Sequence, residues 1–245
     1  MPNIEKVNKI LKEIELHKNK EQAKNLARFF KTGKGEYGEG DIFWGLTVPI
    51  SRKIALKYKD ISLGEILSLL KNKVHEIRLI AILLLVQKYK ESQNINDKKQ
   101  KEREQKNLVD LYLKNTKYIN NCDLVDLSAP RILGDYLSNK KDKKILLKLS
   151  DSKNLWEQRI SVLATFSFIN NMNFKWSFIL AKKFLNHKHD LIHKACGWML
   201  REIGKKNEEK LKEFLNKHIS NMPRTMLRYA IEHFPKSVRI AYLKK

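Results

Sequence analysis

Three segments of this chain put polar, charged or aromatic side chains where a plain amphipathic helix would not. The first is Asn120-Asn121-Cys122-Asp123-Leu124-Val125-Asp126-Leu127-Ser128-Ala129-Pro130. Asp123 and Asp126 are acidic residues in a strongly basic chain. A carboxylate kept near phosphates is costly, so one placed there implies a task. A simpler account has Asp123 capping the helix and Asp126 pairing with a nearby arginine. The second segment is Leu155-Trp156-Glu157-Gln158-Arg159, where a guanidinium at the start of an inner helix can grip a phosphate bidentately or form a structural ion pair with Asp126. The third is Lys194-Ala195-Cys196-Gly197-Trp198-Met199-Leu200-Arg201. Lys194, Trp198 and Arg201 stand at i, i+4 and i+7 and share one helix face. An aromatic ring between two cations suits a nucleotide, with phosphates on the cations and sugar or base on the ring. The alternative is a core tryptophan flanked by snorkelling cations. Gly197 would let a backbone or a ligand approach closely.

The elements that must hold these residues are helices. Nine glycines and five prolines punctuate 245 residues, and apolar positions recur at spacings of three and four. The pattern predicts helices over 3–17, 20–31, 50–58, 62–72, 74–91, 102–115, 123–137, 141–149, 154–169, 173–185, 190–204, 206–218 and 223–234. Glu76-Ile77-Arg78 and Glu157-Gln158-Arg159 both open apolar helices, 81 residues apart from position 76 to position 157. That is about two repeats of the ~40-residue HEAT type. The expectation is an all-α fold: a single domain over 1–245, built as a curved solenoid of HEAT-like repeats with a basic concave face. The charged stretch 96–106, NDKKQKEREQK, reads as a helix connection or a solvated helix start.

Charge narrows the partner. Fifty Lys and Arg against 27 Asp and Glu leave a formal net charge of +23, and 42% of residues are hydrophobic, enough for a core. A surplus of that size repels itself and persists more easily beside a polyanion. Duplex DNA presents one phosphate per ~1.7 Å of axis and releases counterions on binding. With two cysteines far apart, Cys122 and Cys196, a cysteine-built zinc site is excluded, nothing suggests a disulfide scaffold, and a reducing cytoplasm is expected. The N-terminal stretch lacks the apolar run of a signal peptide, and the longest apolar run, Ile80 to Val86, is too short for a bilayer. No membrane partner is expected, and a monomer suffices for a solenoid lying along DNA.

Other patterns fail on inspection. Gly33-Lys34-Gly35-Glu36-Tyr37-Gly38 matches GxGxxG, but it follows a helix rather than a strand, and Glu36 and Glu39 would repel a pyrophosphate. Gly33 is expected to end a helix instead. His75-Glu76 begins like HExxH, but Leu79 occupies the second ligand position. His187, His189, Asp190 and His193 cluster in HKHDLIH. Solvated turn histidines, with Asp190 as the N-cap of the next helix, are expected there rather than a metal.

Together, KTGKGEYGEGD (31–41), NNCDLVDLSAP (120–130), LWEQRISVLATF (155–166), HKACGWMLREIGK (193–205) and MPRTMLRYAIEHF (222–234) resemble the AlkD-type DNA alkylation repair family, HEAT-like DNA glycosylases. The resemblance runs nearly the whole chain in the family's order. It implies excision of positively charged N3- or N7-alkylpurines from duplex DNA, without metal or cofactor. It assigns the catalytic carboxylate to Asp126, a phosphate-binding arginine to Arg159 and a sugar-packing tryptophan to Trp198. Lys194 and Arg201 would add phosphate contacts, as would Arg52, Arg224 and Arg228. The family's W-D-x-x-D pattern has Cys122 in place of its tryptophan. A thiol supplies little of the cation–π help an indole gives a developing oxocarbenium ion. Trp156 or Tyr118 are the candidates to fill that gap. No residue in the segment is an obvious base for Cys122, which argues against a thiol nucleophile.

Overall fold

The computed structural model describes residues 2–244. Among them the chain is an all-α helical-repeat fold, and its single β-type pairing is an isolated parallel bridge between Ile42 and Val74. Backbone contacts divide it into two compact units, Met1–Ser128 and Ala129–Lys245.

The first unit is organised around the helix His75–Ser92. Its apolar run, EIRLIAILLLV, is buried on nearly every side, so it has no solvent face to speak of. The helices Val48–Lys57, Leu63–Leu70, Lys98–Lys114 and Cys122–Ser128 pack around it. Their starts follow ordinary capping chemistry. Ser62 and Glu65 form a reciprocal capping box, and Asp97 accepts from the Gln100 amide. The charged stretch at 96–106 is therefore a helix start, with its cap at Asp97.

In the second unit the central element is Asp190–Lys206, which packs against Arg224–Ala230, Leu155–Ala164, Glu208–His218 and Lys175–Lys183. Gly197 permits the closest of these approaches. A Cβ there would lie 2.6 Å from the Met226 carbonyl oxygen and 2.5 Å from the Tyr229 Cβ, so this glycine admits a neighbouring helix.

Several sequence expectations need correction. The run expected over 123–137 is three elements: Cys122–Ser128, a π-helical turn Pro130–Gly134, and Asp135–Ser138. Pro130 has no amide hydrogen and its ring crowds the carbonyl four residues back, so the chain widens, with the Gly134 amide donating to the Ala129 oxygen. The run expected over 154–169 divides at Thr165, whose hydroxyl bonds back to the Val162 carbonyl. A further helix, Lys236–Lys244, follows Pro235. Gly33 does not end the helix Lys20–Phe29; the left-handed residue beyond it is Lys31, at φ 51°.

Candidate functional site

The segment 120–128 is held from beneath by a buried polar network. Asn121 is fully buried, and its Oδ1 accepts from the Cys122 amide at 2.8 Å, opening the short helix Cys122–Ser128. Asp123 does not serve as the cap. One of its oxygens accepts from the Leu124 amide, and the other meets Nε2 of His75 at 2.8 Å. The other ring nitrogen of His75 faces Asp41 at 3.4 Å. Asp41 receives Nη2 of Arg78 at 2.7 Å and the side-chain amides of Asn120 and Asn121, each at 3.2 Å. Nη1 of Arg78 donates to the carbonyls of Asn72 and Lys73. The imidazole packs against Phe30 and Phe43, with ring centroids 5.1 and 4.6 Å away, and those two rings stack on each other at 5.3 Å.

Burial alone would lower the His75 pKa. The Asp123 charge and the hydrogen bonds to Asp123 and Asp41 outweigh it and push the value up to about 9. Burial would likewise raise Asp41, yet the His75 hydrogen bond, the Arg78 guanidinium and Asn121 hold it below the usual carboxylate range. The adjacent residue, Glu76, does a separate job. Its buried carboxylate accepts from the amides of Trp44, Gly45 and Leu46, at 3.0, 2.7 and 3.2 Å, and so fixes the loop ahead of Val48–Lys57.

Above this network the helix buries Leu124, Val125 and Ser128 and leaves Cys122 and Asp126 half-buried, one turn apart. Ser128 hydrogen-bonds the buried Tyr112 hydroxyl at 2.9 Å. Burial pushes the Tyr112 pKa upward and the negative charge of Asp126 adds to that, against the Ser128 hydrogen bond. Tyr118, half-buried nearby in sequence, carries the Lys117 ammonium 4.9 Å from its ring centroid.

In the second unit Arg159 is buried, and its Nη1 donates to the Leu191 carbonyl at 2.6 Å, in the first turn of Asp190–Lys206. Trp156, one helical turn earlier, is buried as well. Trp198 is half-buried rather than core. Its Nε1 donates to Glu202 at 3.2 Å and its ring lies 6.1 Å from that of Phe166. The two cations on its face are paired. Lys194 meets Asp190 at 2.8 Å, which raises the lysine pKa and, against burial, lowers that of the aspartate. Arg201 contacts Glu232 and Glu202. Arg52, Arg224 and Arg228 are exposed, and Arg224 donates to the Leu243 carbonyl.

The motifs set aside earlier have local explanations. The amides of Gly33 and Gly35 are taken by the carboxylates of Glu36 and Glu39, at 2.9 and 2.8 Å, so the glycine loop binds its own acids where a phosphate would sit. His189, not Asp190, caps Asp190–Lys206 by accepting from the Leu191 amide. His187 meets Gln158 and the His189 amide, and His193 meets the His187 carbonyl. Among the described residues no group of three or more His, Cys, Asp or Glu side chains is disposed to hold a metal ion.

The sequence reading passes over Asp41, His75 and Arg78 as a unit. The available signal was HEIR at the head of an apolar run. Charged side chains on a helix buried all round must find partners inside.

A family model for DNA alkylation repair enzymes matches residues 10–234. Among solved structures, the chain is similar to a predicted DNA alkylation repair enzyme from Enterococcus faecalis, with a TM-score of 0.65 and 16% identity over 90% of this chain and 98% of that one. At that identity the likeness speaks for the fold. No curated protein matches the chain. Because the family match runs over most of the chain, from before the glycine loop to beyond the helix Arg224–Ala230, this chain belongs to the DNA alkylation repair enzyme family.

Proposed function

We propose that this protein is a DNA glycosylase that hydrolyses the N-glycosidic bond of cationic N3- and N7-alkylpurines in duplex DNA. One observation carries the reading most: the two carboxylates of one short helix are divided between two tasks. Asp123 is committed to His75 below the helix, whereas Asp126 stands half-buried beside Cys122. A family of alkylation repair enzymes supplies the substrate class, and a net charge of +23 suits a polyanionic partner.

An alkylated purine already carries positive charge and leaves without being protonated. The C1′–N bond breaks with its electron pair passing to the departing purine, which becomes neutral. Positive charge develops on the deoxyribose. The Asp126 carboxylate stabilises that charge and orients the water that adds at C1′, whose proton passes to the carboxylate or to solvent. Trp198 packs against sugar. Lys194 and Arg201 exchange their carboxylate partners for phosphates, and Arg159 supports the phosphate contact from the base of Asp190–Lys206. Cys122 and Trp156 are further substrate contacts under this reading. Neither metal nor cofactor takes part. The protein acts as a monomer on cytoplasmic, nucleoid DNA, and no described helix is long and apolar enough to cross a membrane.

Base release tests the proposal: free 7-methylguanine and 3-methyladenine are measured from methylated duplex DNA, with wild type beside Asp126→Asn. Loss of the carboxylate charge is expected to cut release by about 10²- to 10³-fold. Equal release by both would remove Asp126 from the chemistry. A second reading, a non-catalytic binder of damaged or branched DNA, is favoured by the thiol at 122 where the family has an indole. Salt-sensitive DNA binding with no base release would select it. Absence of both would leave a helical-repeat scaffold for proteins.

A further inference from the structure

The ring of His75 presents both of its nitrogens to carboxylates, Nε2 to Asp123 at 2.8 Å and Nδ1 to Asp41 at 3.4 Å. A neutral imidazole has one N–H, so it would aim a lone pair at one of these anions. Only the imidazolium donates to both. Arg78 then completes a set of two cations and two anions, which are His75, Arg78, Asp41 and Asp123. The side chains of His75, Arg78 and Asp41 are 2%, 4% and 4% exposed, so a net charge among them would be expensive. Arg78 lies on its own helix, Asp41 on the loop below, Asp123 on the helix above, Asn120 and Asn121 bind Asp41, and Phe30 and Phe43 pack against the ring.

We infer that the His75 imidazolium is a positioning residue for the reaction. It clamps Asp123 in the first turn of Cys122–Ser128 to the buried helix His75–Ser92, and so sets where Asp126 and Cys122 stand. The chemistry of the clamp requires this arrangement. A helix of seven residues is below the length at which its own hydrogen bonds hold it, so its pose depends on tertiary anchors. Its buried anchors are Leu124, Val125 and Ser128. They fix which face is down. The ion pair at Asp123 is a directional contact, and it resists sliding and rotation of the first turn in a way that apolar packing does not. Asn121 reinforces it by joining Asp41 to the Cys122 amide through one side chain.

The inference rests on the glycosylase reading for its meaning in catalysis, but two of its tests need no base release. Nitrogen-15 spectra of histidine-labelled full-length protein near neutral pH should show His75 with both ring nitrogens protonated; a neutral ring there overturns the proposal. Thiol labelling reads the pose of the helix directly, because Cys122 is half-buried on it while Cys196 is fully buried in the other unit. In His75→Gln and Asp123→Asn, Cys122 should react about tenfold faster while Cys196 stays protected. Protected Cys196 and a wild-type rate at Cys122 in either folded variant would overturn the clamp. Asp123→Asn keeps the side chain's size at a position 23% exposed, so it serves if His75→Gln does not fold. The third readout is kinetic. Displacement of Asp126 by roughly 1 Å should lower kcat by about 100-fold with little change in KM for DNA. An unchanged kcat, or a rise in KM alone, counts against positioning. If wild type releases no base, the glycosylase reading fails, while the nitrogen and thiol results still decide whether the clamp exists.

Discussion

The two Glu-x-Arg sequences, Glu76-Ile77-Arg78 and Glu157-Gln158-Arg159, open comparable inner helices in the two units and look like copies of one device. Their surroundings differ. In the first unit both charges are inside. Glu76 gathers three loop amides, and Arg78 meets the Asp41 carboxylate and two carbonyls. In the second, Glu157 is half-buried, while Arg159 is buried against the Leu191 carbonyl at the foot of the helix that carries Lys194 and Trp198. A repeat can therefore keep its sequence while its task changes. What decides the task is the partner brought by a distant segment: Arg78 joins Asp41 in a buried ion cluster, and Arg159 ties its helix to the foot of Asp190–Lys206.

The largest expected effect separates the two arginines. Arg78→Ala leaves Asp41 as a buried anion short of its main cation and should destabilise the protein by about 3–5 kcal/mol in denaturant unfolding. Arg159→Ala loses, among its contacts, the charged hydrogen bond to the Leu191 carbonyl, and that bond is worth about 2 kcal/mol. Equal losses would dissolve the distinction. The second expectation concerns pH. The pKa of His75 is raised in the fold from an ordinary 6.5 to about 9, so its contribution is fully present below 6.5 and is lost as pH rises through 9. At about 1.4 kcal/mol per pH unit the total is roughly 3 kcal/mol. Asp41 acts in the opposite sense: its contribution is present above the ordinary carboxylate value of 3.8 and is lost as pH falls through its depressed folded value. Stability measured from neutral to alkaline pH should fall in wild type and stay flatter in His75→Gln. The smallest effect is on DNA. Arg159→Ala should reduce the salt slope of binding by ~0.9 log units if one phosphate contact is lost, whereas Arg78→Ala, where folded, should leave the slope unchanged.

Much of the fold is legible in the sequence because helix formation is local. Spacings of three and four, and caps such as Ser62 and Asp97, place most helices within a few residues. The failures are local as well. Apolar spacing runs through Pro130 as if through one long helix, although a residue without an amide hydrogen there forces a wider turn. The candidate site is less legible, for a different reason. Asp41, His75 and Asp123 lie 34 and 48 residues apart along the chain, and no spacing rule reaches that far. Leu79 breaks the zinc pattern that His75 begins, and nothing else in the local sequence marks the histidine. Asp123 offered a familiar role as a cap, which Asn121 fills instead. The roles proposed for Asp126, Arg159 and Trp198 come only from the resemblance of several unlike segments to one family.

The loop from Trp44 to Leu46 carries a consequence for the dynamics of the first unit. It belongs to no helix or strand, yet three successive amides are tied to the buried carboxylate of Glu76. Those hydrogens can exchange with solvent deuterium only when Glu76 withdraws, and Glu76 moves with the helix at the centre of the unit. The loop should keep time with the core, exchanging as slowly as the interior of His75–Ser92 while neighbouring loop amides exchange fast.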